Sequence, residues 1–275
     1  MLKKLMKYDL SSMFRLWWIG ALVCLIMGVA GGFCWMIAAS DRPIPDAVET
    51  ICIILIALAV FFFLAFSLFT TVIIFIRYFK NFFTDEGYLT FTLPVHRHTL
   101  LNAKLLSGLI MTLGAGLLVA VSAGIMVCIG AHEYIFGDYF WDNVKHIYRE
   151  LITAYGGYLW VYLAEGLVLS LLFQIISLVF LYLCITIGST VAQKAKLVLS
   201  IGIYYGINTG AIFVLQLLVL FCGPSLDRWL SPLGLEEVLP VFALILLCGI
   251  FFLGTVCAFL YSLLNRMLAR KLNLS

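Results

Sequence analysis

Six stretches of the chain are apolar around every helical face. They cover about 16–39, 48–76, 103–130, 157–188, 197–222 and 237–264, and short polar connections join them. A bilayer-spanning helix needs about 20 apolar residues, which each stretch supplies. Several approach 28 residues, about 42 Å of helix against a hydrocarbon core of about 30 Å. Such helices are expected to tilt or to project beyond the bilayer. Barrel strands alternate apolar and polar residues, and runs such as Ile53–Phe66 do not. The fold class is therefore read as all-α: a polytopic integral membrane protein with six transmembrane helices, taken as a single transmembrane domain over 1–275. Lys3, Lys4 and Lys7 resemble the basic start of a secretion signal, but the following apolar run is far too long for one, so it reads as a retained span.

The connections carry their own patterns. In 2–17, Leu2, Leu5, Met6, Leu10, Met13, Phe14 and Trp17 recur at helical spacing, with Lys3, Lys4, Lys7, Ser11 and Arg15 largely opposite. This predicts an N-terminal amphipathic helix in the membrane interface, its lysines toward anionic head groups. In 131–156, Tyr139, Phe140, Val144, Ile147, Tyr148, Leu151 and Ile152 predict a second interfacial helix. Gly223-Pro224, Pro232 and Gly234 predict a broken or re-entrant piece over 223–236. The segment 77–102 is too long for a tight turn and too aromatic for a flexible linker. Thr84-Asp85-Glu86 suits a helix start and Leu93-Pro94-Val95 a break, so a short helix lying across the membrane surface is expected between spans two and three.

Composition narrows the function classes. Hydrophobic residues make up 64% of the chain and charged residues 11%, against roughly 25% charged in a soluble domain. A disulfide scaffold, a disordered chain and a nucleic-acid-binding domain are excluded, and no nucleic-acid partner is expected. The eight cysteines show no metal-ligand spacing and read as packing residues. Cys34 and Cys222 both fall near the outer ends of spans, where a pairing is open. Asp142 and His146 are four apart on the expected outer helix, a pair without a third ligand.

Charge sets the orientation. Lys3, Lys4, Lys7, Arg15, Arg77, Lys80, Arg97, Lys104, Lys194, Lys196, Arg266, Arg270 and Lys271 fall on one side of the alternating spans; only Arg42, Lys145, Arg149 and Arg228 fall on the other. The positive-inside rule then places both termini in the cytoplasm of a bacterial cell, with the chain multi-pass in the plasma membrane.

Asp85-Glu86-Gly87-Tyr88-Leu89, Thr92-Leu93-Pro94-Val95, Arg97, Leu100-Leu101 and Lys104-Leu105 follow one another in 85–105. This run resembles the signature of type-2 ABC-transporter permeases, in which a Glu-Gly pair, a Leu-Pro step, a basic residue and a Lys opening the next span come in this order. Elsewhere only the layout is similar. The resemblance implies the membrane subunit of an ATP-driven exporter, facing a second permease subunit in a homodimer or heterodimer. It also implies that the connection between spans two and three is a coupling helix docked on a cytoplasmic ABC ATPase subunit. The coupling set would be Asp85, Glu86, Gly87, Tyr88, Phe91, Leu93, Pro94, Arg97 and Lys104, with Phe82 and Phe83 as further aromatic anchors. His96-Arg97-His98 departs from the family pattern, which has fewer basic residues there.

The chain has no Gly-Lys pair and hence no phosphate-cradling loop. It is not read as an enzyme: no cofactor is expected in this chain, and ATP and Mg would be bound by the partner ATPase. All four histidines lie outside the spans. Glu165 reads as the only acid within a span, and with Gln174, Asn208 and Gln216 it is assigned to a polar stripe along the translocation path, or else to helix pairing and outer water. The cargo class stays open among lipid, peptide, drug and glycan. A secondary, ion-coupled transporter and a non-transporting membrane immunity or anchoring protein are the alternatives. Membrane lipid is a partner in every case.

Overall fold

A computed structural model describes residues 2–40, 45–84, 97–135, 137–191, 195–230 and 235–272. Among them the chain forms eight helices and no strand: α1 (Leu2–Ala38), α2 (Asp46–Phe83), α3 (Arg97–Gly130), α4 (His132–Ile135), α5 (Asp138–Tyr155), α6 (Tyr158–Val191), α7 (Lys196–Leu230) and α8 (Leu235–Leu272). Six of them are long and apolar enough to cross a membrane. The protein is all-α and polytopic.

These six helices run 34–38 residues, about 51–57 Å at 1.5 Å per residue. Each outlasts its apolar stretch, because an apolar window ends where charge begins. A helix that projects into head groups and water can carry charge and continue. Three sequence expectations change for this reason. Residues 2–17 are helical, but they are the first turns of α1 rather than a separate interfacial helix. Much of 77–102 is absorbed into the end of α2 and the start of α3, leaving 84–96 as the connection. Thr84 ends α2 in extended backbone, and its hydroxyl donates back to the Lys80 carbonyl. The coupling helix expected beyond it lies outside the described residues. Of the broken piece expected over 223–236, Gly223-Pro224 does not break the helix, since α7 continues through Pro224 to Leu230, and Pro232 and Gly234 lie outside the described residues. Proline removes one N–H, and its φ suits a helix; the flanking turns carry the helix past one missing bond.

Residues 139–152, where an outer interfacial helix is expected, are helical and belong to α5. Trp141, Val144, Tyr148, Leu151 and Tyr155 recur along it and are exposed. Gly156, at φ 53°, closes its C-terminus with its N–H on the Ile152 carbonyl, the left-handed position that favours glycine.

The sequence was read as one domain; the helices pack as two compact units, Met1–Arg149 and Glu150–Ser275. In the first, α1 packs against both α2 and α3. Its buried positions are Asp9, Met13, Trp17, Ala21, Cys24, Gly28, Gly31 and Gly32, a stripe at spacings of three and four. Gly28 and Gly32 form a small-xxx-small pair. A Cβ on Gly28 would lie 2.7 Å from the Ser122 carbonyl oxygen of α3, and one on Gly32 would lie 2.9 Å from Ile129 Cβ. Apolar solvent gives helices no hydrophobic reason to associate, so this close backbone approach supplies the dispersion contact. Trp17 adds a directional tie, donating to Thr70 Oγ1 of α2 at 3.1 Å.

In the second unit α6 is the hub on which α7 and α8 both pack. Its core is Leu178, Val179 and the run Leu181–Thr186, with Gly188 and Ser189. Gly188 meets Ser200 so closely that a Cβ would lie 2.6 Å from Ser200 Cα. At the other end of α6 the Tyr162 hydroxyl donates to the Leu239 carbonyl of α8 at 2.6 Å. All eight cysteines are free thiols. Within the first unit the Cys34 side chain lies against Cys52 of α2.

Candidate functional site

The polar centre of the first unit is built on Asp9. Leu2, Leu5, Met6, Leu10, Met13 and Trp17 make an apolar face, and Asp9 sits inside it, four residues before Met13. Packing α1 against its neighbours therefore drags a carboxylate into the interior, where it is 5% exposed. An unpaired charge there would cost several kcal/mol. Two other helices supply its partners. Lys104 of α3, 8% exposed, pairs with both carboxylate oxygens. Asn81 of α2 donates through Nδ2 to Asp9 Oδ1 at 3.1 Å. Arg77 of α2 brings Nε to 3.5 Å from the same oxygen, and that Nε makes no hydrogen bond.

Position along the helices explains how these charges are tolerated. Asp9 is 29 residues from the far end of α1, and Lys104 is 26 from the far end of α3, about 43 and 39 Å. A hydrocarbon core is about 30 Å thick, so the cluster sits at the polar margin of the spans. Two cations against one carboxylate leave a net charge of about +1. The arrangement clamps the last turns of α2 and the first turns of α3, the two helix ends between which 84–96 is strung, to the start of α1.

Among the coupling residues assigned from sequence, Asp85, Glu86, Gly87, Tyr88, Phe91, Leu93 and Pro94 lie outside the described residues, as does His96. Arg97 begins the α3 backbone, and its side chain is likewise outside them. Lys104, expected at the mouth of span three to hold span and loop in register, lies two turns inside α3 and is buried on Asp9. Phe82 is also buried within its own unit, its ring 4.9 Å from that of Tyr78.

The four residues assigned to a polar stripe do not share a face. Glu165 and Gln174 are nine residues apart on the unbroken α6, half a turn of rotation from one another. Glu165 is buried, and its Oε2 has no hydrogen-bond partner among the described residues. Gln174 is half-buried, and Asn208 and Gln216 on α7 are exposed. A second buried acid, Asp9, lies in α1 ahead of the apolar stretch that begins near residue 16. Sequence reasoning missed Asp9, although an acid in phase with Met13 and Trp17 was the signal that could have found it. No family model, curated protein or solved structure matches the chain.

Proposed function

We infer that this chain is the membrane-embedded permease subunit of an ATP-driven ABC exporter. The observation that carries the reading is the Asp9–Lys104–Arg77–Asn81 clamp. A permease without a nucleotide site must receive work from outside through a contact. The run Asp85–Lys104 has the order of a type-2 permease signature, and 84–96 is the connection whose two ends the clamp ties to α1. A displacement of that connection would pass into three spans rather than be lost in a loose loop. On this reading Glu86 and Arg97 make charge-assisted contacts to a cytoplasmic ATPase subunit, Tyr88 and Phe91 anchor the interface, and Pro94 sets the exit angle. ATP and Mg belong to that subunit. A second permease copy, identical or related, completes the transporter. Both termini are cytoplasmic in a bacterial plasma membrane, by the basic-residue asymmetry. The cargo is a lipid, peptide, drug or glycan.

The test is the double substitution Glu86→Lys with Pro94→Ala. Insertion and orientation should be unchanged, because no basic residue is lost. Co-purification of the ATPase, or cargo stimulation of its hydrolysis, should fall at least tenfold. Wild-type values for both would remove the reading. Glu165 favours a second reading, an ion-coupled carrier, because its buried carboxylate oxygen has no hydrogen-bond partner among the described residues. That carrier would transport without any ATPase and would lose transport on Glu165→Gln.

A further inference from the structure

Beside the clamp, on another face of α1, a cavity of about 660 Å³ lies between α1 and α3. Ligand sites typically enclose about 300–1,000 Å³. Leu10 and Phe14 of α1 and Ile110, Met111 and Gly114 of α3 form its apolar floor. Gly114 makes the room: a Cβ there would meet nothing within 4 Å. The rim is different in kind. Lys7, Ser11 and Arg15 line the same cavity, and at i, i+4 and i+8 they share one side of the helix.

Charge complementarity names the occupant. Asp9, the one acid among the described residues at this end of α1, is turned into the clamp and neutralised by Lys104 and Arg77. The two cations on the rim are therefore left to face an anion. The apolar floor requires that the same molecule carry a hydrocarbon tail. Beyond the cavity α1 presents exposed Trp18, Ile19 and Leu22, a surface suited to lipid. A soluble anion would gain nothing from the floor, and a neutral lipid nothing from the rim. Basic pockets between membrane helices bind anionic lipid head groups.

We propose that the α1–α3 cavity is a binding site for one anionic glycerophospholipid. An acyl chain lies over Leu10, Phe14, Ile110 and Gly114. The phosphate takes charge-assisted contacts from Lys7 and Arg15 and a hydrogen bond from the Ser11 hydroxyl. The proposal rests on the membrane fold and not on the transport reading, so either can fail alone.

Native mass spectrometry of the detergent-solubilised full chain tests it, titrating phosphatidylglycerol against phosphatidylcholine with the same acyl chains. One tightly held phosphatidylglycerol per chain is expected, at least tenfold preferred. Lys7→Gln with Arg15→Gln should lower phosphatidylglycerol to the phosphatidylcholine level. Gly114→Leu should lower retention of that one lipid at least tenfold without lowering the melting temperature, because its side chain enters open space. Equal retention of the two lipids, a preference that survives loss of both cations, or occupancy unchanged by Gly114→Leu would each overturn the site. Exposed Lys7 and Arg15 and unopposed Gly114 make misfolding of the variants an unexpected outcome, and the melting temperature detects it.

Discussion

Two glycine stripes in this protein have the same sequence grammar and opposite surroundings. On α1, Gly28 and Gly32 are four apart and pressed against α3. On α7, Gly202, Gly206 and Gly210 repeat the spacing, and a Cβ at any of them would meet nothing within 4 Å. Small-xxx-small spacing lets backbones approach but does not bring a partner. What fills the α1 stripe is a second reason for α1 and α3 to be held in register, and the Asp9–Lys104 pair provides one. In the second unit the close contact falls instead at Gly188 and Ser200, near the short connection between α6 and α7. The rest of α7 bares Ile212, Phe213, Leu220 and Phe221.

The largest test of this contrast is the clamp. Asp9→Leu leaves Lys104 buried without its counter-charge and should destabilise the chain by about 3–5 kcal/mol. Adding Lys104→Met should restore most of that, since a buried pair replaced by apolar residues is often neutral. Unfolding in mixed micelles measures both, and a loss below about 1 kcal/mol for Asp9→Leu would break the argument. Next is Gly28→Ala, whose new methyl must displace the Ser122 backbone. A loss of about 1–3 kcal/mol is expected, and stability equal to wild type would mean that the α1–α3 seam is looser than described. Smaller again is Trp17→Phe, which deletes the bond to Thr70. Thr70 keeps its own hydroxyl bond to the Phe66 carbonyl, so no donor is stranded and about 1 kcal/mol is expected. Last is Gly206→Ala, the same change as at Gly28 on the unopposed stripe. Stability should stay within about 0.5 kcal/mol or rise slightly through helix propensity. A loss as large as that of Gly28→Ala would show that α7 packs in a way that the second unit alone does not explain.

The six apolar helices and the amphipathic α5 were legible in the sequence because each depends on local quantities: twenty apolar residues in a row, or an apolar repeat near 3.6. Helix ends were less legible. Arg77 and Lys80 end an apolar window, yet α2 runs past both to Phe83. The polar stripe failed on rotation: Glu165 and Gln174 share a span but not a face. Only the tertiary structure decided the clamp and the cavity beside it. Asp9 meets Asn81 and Lys104 across 72 and 95 residues of chain. Whether an acid in an apolar stripe is solvated or paired depends on the axial register of three helices, α2 running against the parallel α1 and α3. That register is set by contacts such as Gly28 on Ser122, to which no single segment holds both sides.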